Sequence, residues 1–245
     1  MGTVEEYEIL SYNIIQKRVI PDRPWITLTY AQSLDGFISI PGKQLLLSGN
    51  ESLILTHAIR QTRDAILIGV ATVLCDKPSL TTRFIKSDPS TVPFTPKHPR
   101  PIIVDTNLKC PIDSFQNRNP IILTKKHEDP TVVKRFQNAG FTIVELPLKG
   151  THINLAESFL ILKSFGIDSI MVEGGAKIIQ EFVNSKELPV DELIVTIAPV
   201  YVKGGIHSTC TTNSILNTSD QITNLKNPKW HSFGNDVVLT GLIEK

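Results

Sequence analysis

Runs of apolar residues along this chain change period repeatedly, and each change marks an element. Trp25-Ile26-Thr27-Leu28-Thr29-Tyr30-Ala31 alternates and is rich in β-branched residues, so it reads as a first strand. Leu34-Asp35-Gly36 makes a turn, and Phe37 to Ile40 runs on as a short strand until Pro41-Gly42 stops it. Ser48 and Glu51 stand three apart ahead of an apolar run, which predicts a capping box opening a helix to about Arg63. Ala65 to Gly69 is continuously apolar, the pattern of a strand covered on both faces. Ile102 to Val104 and Ile121 to Leu123 repeat it, Phe141 to Val144 fits a further strand, and Ser169 to Val172 reads as another. Helices fit at Thr131 to Asn138, at Leu155 to Phe165 with Asn154 and Glu157 as its cap, and at Ala176 to Val183. Leu193 to Ile197 and Val237 to Leu242 return to strand, joined by a long polar segment.

Strands alternating with helices predict a single α/β domain with a mostly parallel central sheet and helices on both faces. The closing strands have no helix between them, so the sheet is expected to turn antiparallel at its C-terminal edge. The domain is expected to span 23–245, with 1–22 as an N-terminal extension. The segment 84–100, rich in Pro, Ser, Thr and Lys, reads as an exposed loop.

Composition narrows the class. With 41% apolar and 20% charged residues the chain is an ordinary globular protein, and a net charge of +1 asks for neither nucleic acid nor an acidic membrane. Cys75, Cys110 and Cys210 lie far apart without metal-ligand spacing, so no metal is expected and the thiols read as reduced. The acidic start lacks the apolar core of a signal peptide, and no run is long enough to span a bilayer. A cytoplasmic location follows as the expectation.

The candidate chemistry falls at the carboxyl ends of predicted strands, where open α/β sheets bind ligands. Ser33 and Asp35 follow the first strand. Gly69 to Pro78, with Thr72 and Asp76, follows Ile66–Ile68 and continues through Leu80 to Arg83. Asp105-Thr106-Asn107 follows Ile102–Val104, and Glu173-Gly174-Gly175 follows Ile170–Val172. Taken singly, each reads as a turn, a cap or a surface charge; together they crowd one edge of one sheet. Glycines between a strand and a helix admit a ligand close to the backbone, and the helix N-terminus favours an anion. No Gly-x-Gly-x-x-Gly, P-loop, Gly-x-Ser-x-Gly elbow or His-x-x-x-His pair is present. His57, in an amphipathic helix, reads as a packing or surface residue. Spacing alone leads to a phosphate-containing ligand at the sheet edge, and no further.

Four motifs in order go further: Thr29 to Gly36, Gly69 to Leu80, Arg100 to Asp105, and Met171 to Ala176. From about Arg23 onward, leaving out the loop after Arg83, the chain resembles the riboflavin-biosynthesis reductase family, in its stand-alone fungal form and with a dihydrofolate reductase-like fold. The zinc deaminase signature of the bacterial bifunctional relatives is missing, so the resemblance implies reduction without deamination. It implies NADPH-dependent conversion of the ribosyl group of a phosphorylated ribosylaminopyrimidine to a ribityl group, by a homodimer. By resemblance, Thr72, Asp76 and Thr106 contact the cofactor. Gly174, Gly175, Ala176 and Lys177 hold its pyrophosphate. Ser33, Leu80, Arg83 and Glu173 are substrate-side, and Asp35 is the candidate for proton handling. Lys77 departs from the acidic or amide residue common after the motif's Asp, and is expected to point to solvent. The competing readings are a pterin reductase of the same fold and a non-catalytic NADPH or nucleotide sensor.

Overall fold

The computed structural model describes residues 2–42, 45–86, 94–209 and 224–243. Its elements in chain order are α1 (Val4–Ile14), β1 (Trp25–Gln32), β2 (Phe37–Ser39), α2 (Asn50–Thr62), β3 (Ala65–Gly69), α3 (Val70–Asp76), β4 (Arg100–Val104), β5 (Ile121–Lys125), α4 (Pro130–Asn138), β6 (Thr142–Leu146) and the hairpin of β7 (Leu148–Lys149) with β8 (His152–Ile153). A 3-10 turn (Leu155–Glu157) then leads into α5 (Ser158–Ser164), β9 (Ser169–Gly174), α6 (Ala176–Asn184), β10 (Glu192–Ile197), β11 (Ile206–His207), β12 (Leu225–Phe233) and β13 (Asp236–Ile243).

One nine-stranded sheet runs in the order β12-β13-β10-β1-β9-β3-β4-β5-β6. All pairings from β10 to β6 are parallel, and β13 and β12 join antiparallel, as the strand pattern predicted. Both faces are covered, which is why the inner strands are continuously apolar. On one face Phe159 and Leu162 of α5 and Ile178, Ile179 and Phe182 of α6 pack on Ile26, Leu28, Leu67 and Val172. On the other, Leu55 and Ile59 of α2 and Phe136 of α4 meet Ile66, Ile68, Ile103 and Met171. Each such side chain contributes about 1.5–3 kcal/mol of gross burial.

Several local expectations need correction. Ser48 does not cap α2: the N-cap is Gly49, with no side-chain cap from its own segment. Asp236, at the start of β13, supplies the acceptor, taking the Gly49 N–H at 2.7 Å and the Ser52 hydroxyl at 2.6 Å. Asn154 makes no cap bond to the backbone, because its amide donates to Glu157 Oε1 at 2.8 Å instead. The segment 84–100 is mostly exposed where it is described, and it is anchored at both described ends. Ile85 is buried, the Thr82 hydroxyl donates to the Lys97 carbonyl at 2.7 Å, and Gln61 holds Thr95 and Lys97 at 3.1 and 2.8 Å. Its centre, 87–93, lies outside the described residues.

The segment 1–22, read as an N-terminal extension, packs on the domain through α1. Thr3 and Glu6 form a reciprocal capping box for α1, which lies along α2, and the Tyr7 ring packs 5.6 Å from Phe233. The polar stretch between β10 and β13 contains β12, missed because Lys226 to Trp230 are exposed and show no alternation. Cys75 and Cys110 are free thiols; Cys210 lies outside the described residues. Among the described residues no helix is long and apolar enough to cross a membrane.

Candidate active site

Strand register brings the four motifs to one edge. Gly69 pairs with Val104, and Ile68 with Gly174, so β3, β4 and β9 end side by side. β1, beside β9, ends close by at Gln32. Two open hollows of about 430 and 450 Å³ lie elsewhere, among residues leading into β4, β5 and β6.

The glycine turn is the tightest part of this edge. Gly174 and Gly175 have φ of +95° and +74°, backbone that an L side chain strains to adopt. A Cβ on Gly175 would stand 2.6 Å from the Thr72 hydroxyl, and one on Gly174 would collide with Ile179. The two motifs thus meet through Gly175, with Thr72 of α3 directly against it. Gly175 is also the N-cap of α6, and no side chain caps that end. Ile178 and Ile179 N–H turn back to the Gly175 carbonyl at 2.9 and 3.1 Å. The first-turn N–H groups of Ala176 and Lys177 open the helix, whose dipole favours an anion there. Lys177 is exposed beside them. This bare, Cβ-free seat fits a dinucleotide pyrophosphate.

The other cofactor candidates surround it less closely. Asp76 is exposed at the end of α3, its carboxyl raised by partial burial. Lys77 closes α3 as its C-cap at φ +43°, so this departure from the family pattern sits where glycine or asparagine is favoured. Thr106 lies in the turn two residues after β4, its carbonyl accepting from the Thr124 hydroxyl at 3.1 Å. Its neighbour Asp105 is fully engaged within the loop, accepting from Cys110 N at 2.7 Å.

Glu173 leaves β9 toward α2, where the structure supplies a partner that the sequence reading did not single out. Arg60 Nε donates to Glu173 Oε1 at 2.7 Å and Nη2 to Oε2 at 2.8 Å, a bidentate pair with side chains only 11% and 18% exposed. Arg60 Nη1 also donates to the Thr81 carbonyl at 3.1 Å. Leu80, buried and at φ +53°, and Ser79 give their carbonyls to Arg118 at 3.2 Å each. His57, one turn before Arg60, is buried and accepts the Arg83 N–H on Nδ1 at 3.0 Å. Burial, and then the charges of Arg60 and Arg83, hold its imidazole down at about 3, so it is neutral. His57 is therefore a clasp for the 79–84 segment, a more specific role than general packing. The Arg83 side chain is exposed, its guanidinium 5.7 Å over the Phe84 ring, with no described carboxylate in ion-pair range.

Ser33 and Asp35 are bound into the turn that follows β1. The Ser33 hydroxyl is buried, donates to Asp35 Oδ1 at 2.6 Å and accepts the Phe37 N–H at 3.0 Å, so it builds the turn. Asp35 also accepts from the backbone N–H of Val202 and Lys203 at 3.1 and 2.9 Å. These bonds, the Ser33 hydroxyl first, hold its carboxyl at about 2. A carboxylate so held at neutral pH is an acceptor that fixes the 202–203 backbone, and it is poorly suited to donating a proton.

Comparison with known proteins gives the family. Residues 24–239 match the family profile of the RibD C-terminal domain. The 2,5-diamino-6-ribosylamino-4(3H)-pyrimidinone 5′-phosphate reductase of Debaryomyces hansenii is 38% identical over 208 residues, 77% of this chain and 81% of that protein. The Saccharomyces cerevisiae protein of the same name is 34% identical over 224 residues, covering 88% and 85%. Among solved structures, the Saccharomyces riboflavin biosynthesis reductase Rib7 superposes with a TM-score of 0.69 at 26% identity over 98% of this chain and 97% of that one. A pyrimidine reductase-like protein of Corynebacterium diphtheriae, at 16% identity and a TM-score of 0.74, shares the fold over 98% and 99%. With the family profile spanning the sheet and every motif at its edge, this chain belongs to the RibD C-terminal domain family, the reductases of riboflavin biosynthesis.

Proposed function

We propose that this enzyme reduces 2,5-diamino-6-ribosylamino-4(3H)-pyrimidinone 5′-phosphate to its ribitylamino product, with NADPH as the reductant. Family membership supports the reductase step and a nicotinamide cofactor. The observation that carries the reading to this site is the contact of Thr72 with the Cβ-free Gly175 at the uncapped start of α6, one residue beyond a strand whose Glu173 is oriented by Arg60.

In this reading Gly174, Gly175, Ala176 and Lys177 receive the pyrophosphate through backbone N–H groups, with the Lys177 charge nearby. Thr72, Asp76 and Thr106 line the rest of the dinucleotide. Bound there, the reduced nicotinamide supplies the hydride for C1′ of the opened ribosylamine. The chain's own task is alignment, which accounts for a site built from glycines and one ion pair without a nucleophile. Glu173, acceptor-only while paired with Arg60, orients ribose hydroxyls or the amino groups of the pyrimidine. Arg83, exposed and without a described carboxylate, offers a planar fork to the substrate phosphate, with the buried Leu80 in the same segment. Opening the sugar leaves a C1′–N double bond; hydride adds to C1′ and a proton to nitrogen. Asp35, held as a carboxylate by Ser33, Val202 and Lys203, is poorly suited to give that proton, which comes from bound water or a nearby acid. The homodimer and the cytoplasmic location rest on the family resemblance, and sedimentation of the purified chain checks the first.

The purified protein is expected to oxidise NADPH, followed by nicotinamide absorbance, only when the ribosylaminopyrimidine phosphate is added. Turnover of dihydrofolate in its place would make it a pterin reductase. Tight NADPH binding with neither substrate reduced would make it a sensor.

A further inference from the structure

We propose that Arg60 is the positioning residue of this active site, a single guanidinium that sets both walls of the substrate pocket and cancels the charge of one of them. The proposal rests on the reading that Glu173 and the 79–84 segment face the substrate. Arg60 lies in the last turn of α2, a helix whose Leu55 and Ile59 bind the sheet. Its neighbours His57 and Gln61 hold the chain outside it, at Arg83 and at Thr95 and Lys97. Arg60 reaches a carboxylate of the sheet and a carbonyl of that outer segment together.

Geometry makes the first wall. Bonds of 2.7 and 2.8 Å from two nitrogens of one planar group fix the plane of the Glu173 carboxylate, not merely its position. Each oxygen keeps a second lone pair, so the fixed group presents two acceptor positions and no donor. Such a wall accepts hydroxyl or amino hydrogens and rejects carbonyl oxygens.

The second wall is the strained segment. Thr81 follows Leu80, whose φ of +53° is costly for a leucine. The carbonyls of Ser79, Leu80 and Thr81 all point at guanidinium groups, the first two at Arg118 and the third at Arg60. These bonds over-determine the backbone and hold the strained residue in place.

Charge is the third contribution. Glu173 directly precedes the Gly174-Gly175 seat proposed for the pyrophosphate. Unpaired, a carboxylate so sheltered from solvent would oppose both the cofactor and a phosphorylated substrate. Paired with Arg60, it is neutral overall while still accepting hydrogen bonds.

The test compares Arg60→Met, Arg60→Lys, Glu173→Gln and the double variant Arg60→Met/Glu173→Gln in the full chain, reading substrate KM and kcat separately from NADPH Kd. Arg60→Met is expected to raise the substrate KM at least about tenfold and to weaken NADPH, because Glu173 is left as a lone charge. Arg60→Lys keeps the charge and loses the fork, so NADPH binding stays near wild type while substrate KM rises; it carries the test if Arg60→Met does not fold. In the double variant NADPH binding recovers, yet substrate KM stays no worse than in Arg60→Met, the non-additive signature of one coupled unit. A merely structural role would move KM and Kd together and give no recovery. Multiplying KM effects, or a wild-type KM in both Arg60 variants beside a raised one in Glu173→Gln, would overturn the role of Arg60 alone. A wild-type KM in Glu173→Gln would instead remove Glu173 from the substrate wall, and the proposal would fall with that reading.

Discussion

Gly175 shows how one missing carbon can define a site. Its φ of +74° and the Thr72 hydroxyl 2.6 Å from where a Cβ would stand leave no room for a side chain. Gly175→Val is therefore expected to weaken NADPH binding by at least about tenfold, since it displaces Thr72 and blocks the helix N-terminus together. Unchanged affinity by fluorescence titration would remove the α6 terminus from the cofactor site. His57 gives a prediction in pH. Its pKa falls from 6.5 to about 3 on folding, so the unfolded chain binds the extra proton between those values. Stability from this group is complete above pH 6.5 and is lost as pH falls toward 3, at up to about 1.4 kcal/mol per unit. Urea melts from pH 7 to 4 should show a shallower loss for His57→Gln than for wild type; parallel slopes would mean the imidazole is not held neutral. The glycine pair was visible in the sequence because backbone freedom is a property of the residue itself. The role of His57 was not, because its Arg83 partner, whose charge adds to that of Arg60 on the same helix, arrives only when the 79–84 segment folds over α2.

At the scale of elements, helix ends separate what is local from what is not. The Thr3–Glu6 capping box of α1 spans four residues and was legible, though passed over in a segment read as an extension. The Ser48–Glu51 pair has the same form and does not act as one. Asp236, 187 residues from Gly49, takes both the Gly49 N–H and the Ser52 hydroxyl. Asp236→Ala leaves these buried donors unpaired and is expected to cost about 1–3 kcal/mol, seen as a Tm lower by several degrees. A Tm within a degree of wild type would show that the Ser48 end is capped otherwise. The inner strands were readable because burial on both faces leaves a continuous apolar run. β12 was hidden for the opposite reason: its exposed residues record pairing with β13 only through the backbone, which carries no side-chain signature.

Across the molecule, the amino-terminal segment, the end of α2 and the far strand β10 are tied by one buried cluster. Arg63 is fully buried; it donates to Glu192 Oε2 at 2.6 Å and to Thr27 Oγ1 at 2.8 Å, and Glu192 accepts the Gln16 N–H at 2.6 Å. Breaking such a pair strands a charge in the core, so Arg63→Met is expected to cost about 3–5 kcal/mol in denaturant melts. Arg63→Met/Glu192→Leu should recover much of that loss; no recovery would mean the cost is packing. Residue order alone carried the alternation of strands and helices, the antiparallel finish and the gathering of four motifs at one sheet edge, since these follow from periodicity and from parallel connections placing strand ends together. It carried the Glu173-Gly174-Gly175 turn as well. Arg60 on Glu173, Asp236 on α2, the Asp35 clasp on Val202 and Lys203 and the Arg63 cluster came only with packing. Their carboxylate contacts join residues 113 to 187 positions apart, Arg63 reaching 129 positions to Glu192. Charged groups find such partners by distance in space, and no period in the chain records it.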